Sequence, residues 1–192
     1  MQARLTANDL ACRRGERLLF RHLSLDLASG EALHVTGPNG IGKSSLLRIL
    51  AGLSRPFAGK ATREGRVALL DERLALDEAL PLGKALDFWR GLDGTQDFMP
   101  IEKMSLTDLL DVPVRYLSTG QRKRAAMARL LGTKAAVWLL DEPLNGLDDE
   151  ARVTVERLAA EHCAGGGVCV VASHQTFAVE SKRVLSLSDY AS

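Results

Sequence analysis

The chain has no apolar run approaching the roughly 18 residues needed to cross a bilayer, so no direct membrane insertion is expected. Its first residues, Met1-Gln-Ala-Arg-Leu-Thr-Ala-Asn8, lack the apolar stretch of a signal peptide. Cysteine is scarce. Cys12, Cys163 and Cys169 stand apart with no C-x-x-C spacing, which argues against a thiolate metal site and against a disulfide framework. Cys169 lies in the apolar run Val168-Cys-Val-Val171 and reads as a small buried residue. A reduced, cytoplasmic setting suits all three. Net charge is nearly absent: 25 Lys+Arg face 24 Asp+Glu, a balance of +1, so no general attraction to nucleic acid follows. What the chain does have is 46% hydrophobic residues over 192 positions. That is enough to bury the core of one domain, with room for an inserted subdomain.

The most specific signal is Gly37-Pro38-Asn39-Gly40-Ile41-Gly42-Lys43-Ser44, followed by Ser45. This is the phosphate-binding loop pattern, and it implies a nucleoside triphosphate with magnesium. Glycines let the backbone wrap closely round phosphates with N–H groups pointing inward. Lys43 supplies a charge for the outer phosphate oxygens, and the Ser44 hydroxyl is a hard oxygen ligand suited to Mg2+. The flanks fit as well. Ala32-Leu-His-Val-Thr36 reads as a buried strand, and Ser45-Leu-Leu-Arg-Ile-Leu-Ala51 has helical spacing and stops at Gly52. Phosphates would therefore sit at a helix N-terminus.

Strand character also appears over Leu5–Cys12, Leu18–Leu27, Arg66–Leu70, Ala136–Leu140, Val168–Ala172 and Arg183–Leu187. Arg55-Pro-Phe-Ala-Gly59 reads as a turn. Residues from about Glu72 to Lys134 carry helical patterning, including Ile101–Leu110, broken by the loop Gly91-Leu-Asp-Gly-Thr95. A helix is expected from Asp149 to Cys163. Strands alternating with helices predict a largely parallel, covered sheet, and the early alternating strands predict an antiparallel part beside it.

Two further constellations carry chemistry. Ala136-Val-Trp-Leu-Leu-Asp141-Glu142 is an apolar strand delivering two carboxylates to its C-terminal edge. Asp141 suits magnesium and Glu142 suits the base or orienting group for an attacking water; a strand cap before the Pro143 turn is the bland alternative. Leu117-Ser118-Thr119-Gly120-Gln121 opens a basic helix, Arg122–Leu131, with Ser118 as N-cap. That helix start is either an anion site or a capped helix with a solvated basic face.

The order of these pieces, together with Leu147-Asp148 and Ser173-His174, resembles the ATP-binding cassette (ABC) ATPases over nearly the whole chain. The resemblance implies an α/β P-loop NTPase fold: a mixed, mainly parallel core of about 1–70 and 135–192, a small antiparallel β part, and a helical subdomain of about 71–134. It implies a homodimer closing on two ATP molecules with Mg2+. In such a dimer Ser118, Gly120 and Gln121 touch the γ-phosphate held by the partner's loop, Asp148 lies at the interface, and His174 acts on the γ-phosphate and attacking water with Glu142. A narrower resemblance is to the haem-exporter ATPase subunits of bacterial cytochrome c maturation. It rests on Leu18-Leu-Phe20, Gly52-Leu-Ser-Arg-Pro56, Gly120–Leu130, Ser173-His-Gln175 and Val179-Glu-Ser-Lys182. It implies work at the cytoplasmic face of the inner membrane with integral membrane permease subunits. Another ABC exporter, or a soluble ATP-gated clamp, is the alternative. No residue pattern here binds haem by itself.

Two features of the resembled family are missing. Where most members carry an adenine-stacking aromatic, this chain has Cys12-Arg13-Arg14-Gly15. These arginines read as a base-stacking substitute, as a sign of a less base-selective site, or simply as a charged hairpin turn. Where most members carry a glutamine before the helical segment, the stretch is Leu69-Leu-Asp71-Glu72-Arg73-Leu74. Asp71 or Glu72 is the candidate oxygen donor in its place.

Overall fold

The computed structural model describes residues 3–71, 75–94, 100–179 and 182–191. Among these residues, eight strands form two sheets. The first is antiparallel, in the order β2-β1-β4, from β1 (Arg4–Arg14), β2 (Arg17–Leu27) and β4 (Ala58–Glu64). The second has the order β5-β6-β7-β3-β8, from β3 (Ala32–Thr36), β5 (Val67–Leu70), β6 (Val137–Asp141), β7 (Val168–Ala172) and β8 (Lys182–Ser186), with every pairing parallel.

The central strands are buried on both faces because alternate side chains feed two different apolar clusters. Val137, Leu139, Val168, Val170, Leu33 and Val35 face the antiparallel sheet and α1 (Lys43–Ala51), which contributes Leu46, Leu47, Ile49 and Leu50. Trp138, Leu140, Cys169 and Val171 face the opposite cluster, with α2 (Leu82–Asp93), α3 (Thr119–Gly132) and α4 (Asp149–Ala164). Continuous apolar runs such as Val137–Leu140 therefore belong to a covered parallel sheet, whereas the half-exposed Leu23-Ser-Leu-Asp-Leu27 belongs to the antiparallel one.

Several sequence expectations need correction. Arg55–Gly59 is not wholly a turn: β4 begins at Ala58 and pairs with β1. Most of its residues are exposed, so no apolar alternation announces it; pairing with β1 places it, and Arg63 ties it to α1 by donating to the Ile49 and Leu50 carbonyls. The expected loop at Gly91 is instead the last turn of α2, which ends at the left-handed Gly94 (φ 65°); Thr95 lies outside the described residues. The helical pattern of Ile101–Leu110 resolves into two short 3-10 turns, Glu102–Met104 and Thr107–Leu109, separated by Ser105 with φ 51°.

The segment between β5 and β6 shares its core with the sheet. Leu82, Leu86, Met104 and Leu117 join Leu70 and Trp138 in one cluster. Among the described residues, no helix is long and apolar enough to cross a membrane. The three cysteines are free thiols, all buried.

Register places the site. Asp141 at the end of β6 pairs with Ala172 of β7, and Ala172 pairs with Val35 of β3. The loops beginning at Gly37, Glu142 and Ser173 thus leave three neighbouring strands at one edge.

Candidate nucleotide site

Three glycines bend the loop after β3 into left-handed backbone: Gly37 (φ 142°), Gly40 (φ 78°) and Gly42 (φ 118°). At Gly42 the requirement is double, since a Cβ would also lie 3.2 Å from the Phe20 ring and 3.4 Å from Leu19. Gly42 is the N-cap of α1, where no side chain caps the helix and no acidic residue occupies the first turn. The exposed N–H groups and the positive end of the helix dipole remain for an anion.

Asn39, Gly40, Gly42, Lys43, Ser44 and Ser45 line an open cavity of about 520 Å³. Gly37, Pro38 and Ile41 stand behind them. Lys43 donates to the carbonyl oxygens of Gly37 (2.8 Å) and Pro38 (3.4 Å), and Ile41 packs against Gly37. Burial of Lys43 to 7% exposure leaves its ammonium few competitors.

The opposite wall is built by β6 and β7. Asp141 is buried, and it and Ser44 line the same cavity. Two hard oxygen donors suit Mg2+, which takes its other ligands from water and phosphate. Among the described residues there is no cluster of three or more His, Cys, Asp or Glu side chains of the kind that would cage a metal alone.

Glu142 has φ 45°, a left-handed conformation that costs a non-glycine residue on the order of 1–3 kcal/mol. Three contacts hold it there. Its N–H donates to Ala172 O (2.8 Å), while its carbonyl accepts from Lys123 Nζ (3.0 Å) and Asn145 N–H (3.3 Å). Its carboxylate accepts from Ser173 Oγ at 3.1 Å, lies 3.1 Å from His174 Nδ1 through both oxygens, and sits 3.9 Å from Lys43 Nζ. A carboxylate beside Nδ1 favours the tautomer protonated there and leaves Nε2 for another contact.

Ser173, Asn145 and Lys123 were not anticipated as members of this arrangement. The Ser-His dipeptide was a signal for Ser173. Lys123 had none: it sits in a helix whose basic residues read as solvated, yet it is only 5% exposed.

The cavity is not lined by residues 117–121. Ser118 caps α3 by accepting from Gln121 N–H (3.2 Å), and Gln121 Oε1 accepts in return from Ser118 N–H (2.8 Å). Thr119 and Gly120 pack on the loop before α4; a Cβ at Gly120 would fall 2.5 Å from Gly146 O. Leu117 is buried below, its carbonyl accepting from Arg122 Nε (3.0 Å). Asp148 is exposed and caps α4 through Ala151 N–H (2.9 Å).

Asp71, a candidate metal ligand from the sequence, is sent elsewhere. It pairs with Arg48 at 2.8 Å and lines a separate cavity of about 290 Å³ beside β5. Glu72, the other candidate, lies outside the described residues, as do Glu180 and Ser181 of the narrower resemblance. Arg13 lies over the Phe57 ring (4.7 Å), while Arg14 and Arg17 line the 520 Å³ cavity. Burial pushes the pKa of the Cys12 thiol up, with Ser45 and Arg14 acting the other way, so the thiol stays protonated near neutral pH.

Comparison with known proteins shows the family and the fold. Residues 20–145 match the ABC transporter family. A cytochrome c biogenesis ATP-binding export protein of Novosphingobium aromaticivorans is 58% identical over 186 residues, covering 97% of this chain and 96% of the relative. An ABC transporter ATP-binding protein of Pyrococcus furiosus shares the fold with a TM-score of 0.84 at 19% identity, covering 98% of this chain and all of that one. A dimeric ATP-binding cassette in a post-hydrolysis state, bound to ADP and Pi, superposes with a TM-score of 0.77 at 19% identity, over 89% of this chain and 88% of its own. On this evidence of sequence and fold, the chain belongs to the ABC transporter ATPase family, in the branch of the cytochrome c biogenesis ATP-binding export proteins.

Proposed function

We propose that this ATPase works as a homodimer in which each ATP lies between the glycine loop of one subunit and residues 117–121 of the other. The observation that carries the reading is the convergence of Lys43, Ser44, Asp141, Glu142 and His174 on one cavity, with Glu142 oriented from three sides. Lys43 and the N-terminus of α1 bind the outer phosphates. Ser44 and Asp141 hold Mg2+, whose chemistry is to neutralise phosphate charge during transfer. Glu142 orients the attacking water and takes up its proton, and His174 positions that carboxylate and meets the γ-phosphate.

Residues 117–121 present a capped helix start whose N–H groups suit a phosphate. Asp148, the cap of the neighbouring helix, belongs to the same dimer face. The family relationship supports ATP hydrolysis coupled to transport in cytochrome c biogenesis. The cargo under this reading is haem, and the partners are integral membrane permease subunits at the cytoplasmic face of the inner membrane. The helical segment 71–134 passes nucleotide state to them as a shift between two arrangements.

Glu142→Gln removes the base but keeps the shape. With Mg–ATP it should accumulate as a nucleotide-bound dimer on gel filtration. Elution only as a monomer at saturating ATP would refute the composite site. For the pathway, a deletion strain that still matures cytochrome c, with the chain recovered apart from membranes, would refute the haem role.

A further inference from the structure

A closed ring of hydrogen bonds joins the loops that leave β6 and β7. Ser173 Oγ donates to the Glu142 carboxylate (3.1 Å) and accepts from the Gln175 N–H (3.0 Å). Gln175 Nε2 donates to Asn145 Oδ1 (3.0 Å), and the Asn145 N–H returns to the Glu142 carbonyl (3.3 Å). Arg152 of α4 reaches this ring from outside, donating to Gln175 Oε1 (2.8 Å). That one contact sets the polarity of the side-chain amides. A guanidinium only donates, so the Gln175 atom facing it is the oxygen. Gln175 Nε2 is thereby turned to Asn145, whose receiving atom must be its own oxygen. The Asn145 Nδ2 is left over. Among the described residues it has no hydrogen-bond partner, yet Asn145 is half-buried and lines the 520 Å³ cavity beside Lys43, Glu142 and His174.

A fixed donor at this end of the cavity suits a phosphoryl oxygen better than the attacking water. The water must keep a lone pair for phosphorus while Glu142 takes its proton, and an N–H donated to it would occupy the attacking pair. A terminal phosphate carries three strong acceptor oxygens and has the greater need of donors.

We propose that Asn145 Nδ2 donates to the terminal phosphate of bound ATP, and that Gln175 and Arg152 are positioning residues that hold the amide in this polarity. The contact favours a triphosphate over a diphosphate. Because Asn145 and Ser173 belong to the same ring, the group that meets the phosphate and the group that orients the Glu142 carboxylate are set together. This rests on the phosphate-loop reading above, which defines the outer-phosphate end.

The test is equilibrium titration of the full chain, at a concentration that keeps it monomeric, with two probes. One is Mg–ADP. The other is the magnesium complex of a β,γ-imido ATP analogue, which carries the terminal phosphate and is not turned over. Asn145→Ala should weaken the analogue about tenfold and ADP by less than about twofold, as expected for one hydrogen bond to a charged group. Gln175→Glu keeps the Arg152 contact and the side-chain shape but removes the donor to Asn145. The Asn145 amide should then turn over and present its oxygen to the phosphate, so the analogue should again weaken about tenfold with ADP nearly unchanged. Placed in the Asn145→Ala background, Gln175→Glu should cost less than about twofold more, because both changes remove the same contact. Unchanged analogue affinity in Asn145→Ala overturns the proposal, as does an equal loss for ADP. A Gln175→Glu loss that persists undiminished in the Asn145→Ala background overturns the positioning role. A Lys43→Ala control separates the two levels. If ADP binding does not depend on Lys43, the phosphate-loop reading fails; if it does and the Asn145 variants treat both probes alike, only the Asn145 assignment fails.

Discussion

The two ends of the nucleotide cavity are built on opposite principles. At the carboxylate end Glu142 is held from several sides: Ser173, His174 and Lys43 surround its carboxylate, and Lys123 Nζ and the Asn145 N–H donate to its carbonyl. Strain at Glu142 is tolerated because the surrounding contacts over-determine it. At the hairpin end two exposed arginines stand without partners among the described residues. Phosphoryl transfer needs charges placed before the substrate arrives, since reorganisation during reaction raises the barrier. Among the described residues, no comparable arrangement is built at the hairpin end.

That contrast can be broken from either end. The largest effect should come from Lys43→Ala, which deletes the buried ammonium and its grip on the Gly37 and Pro38 carbonyls. Nucleotide affinity and turnover should both fall by about a hundredfold or more, as expected for losing a desolvated charge-assisted contact; titration and phosphate release measure them, and near-wild-type turnover would sink the site assignment. Glu142→Gln should separate the two quantities, cutting turnover by about 10² to 10⁴ while ATP still binds. Ser173→Ala removes one of several contacts to the same carboxylate. It should slow kcat by about fivefold, roughly the worth of one net hydrogen bond, with little change in KM; an effect as large as that of Glu142→Gln would mean Ser173 does more than orient.

The smallest effect lies away from the cavity. His162 stacks on Trp138 at 3.9 Å, and burial lowers its pKa below the usual histidine value. The folded state therefore prefers neutral imidazole, and the unfolded state binds more protons as pH falls below about 6.5. The stability His162 contributes is present above that pH and is lost below it. Thermal melts should show a modest acid destabilisation that His162→Gln flattens, while turnover relative to folded protein is unaffected.

What could be read without coordinates followed from how strongly each element marks its residues. The glycine loop was legible because glycine takes the positive-φ backbone that Gly37, Gly40 and Gly42 adopt without the steric cost other residues bear. Buried strands such as Val137–Asp141 were legible because both faces demand apolar side chains. The Ser118 cap was legible from residue type, whereas its reciprocal bond with Gln121 emerged only in the structure. β4 was hidden because most of its residues are exposed and show no apolar alternation. The 3-10 turns after Ile101 were hidden because an apolar period cannot distinguish one long helix from short turns pressed on a core.

The sequence by itself determined the phosphate loop, the carboxylate pair and the alternation of strands and helices, since these depend on local backbone angles, residue chemistry and spacing. Only the tertiary structure decided which side chains meet. It drew Lys123 onto the Glu142 carbonyl, sent Asp71 to Arg48 and Arg13 to Phe57, and left Arg14 and Arg17 facing the cavity. Those choices depend on strand register and on packing between distant segments, and neither is written in any local stretch of residues.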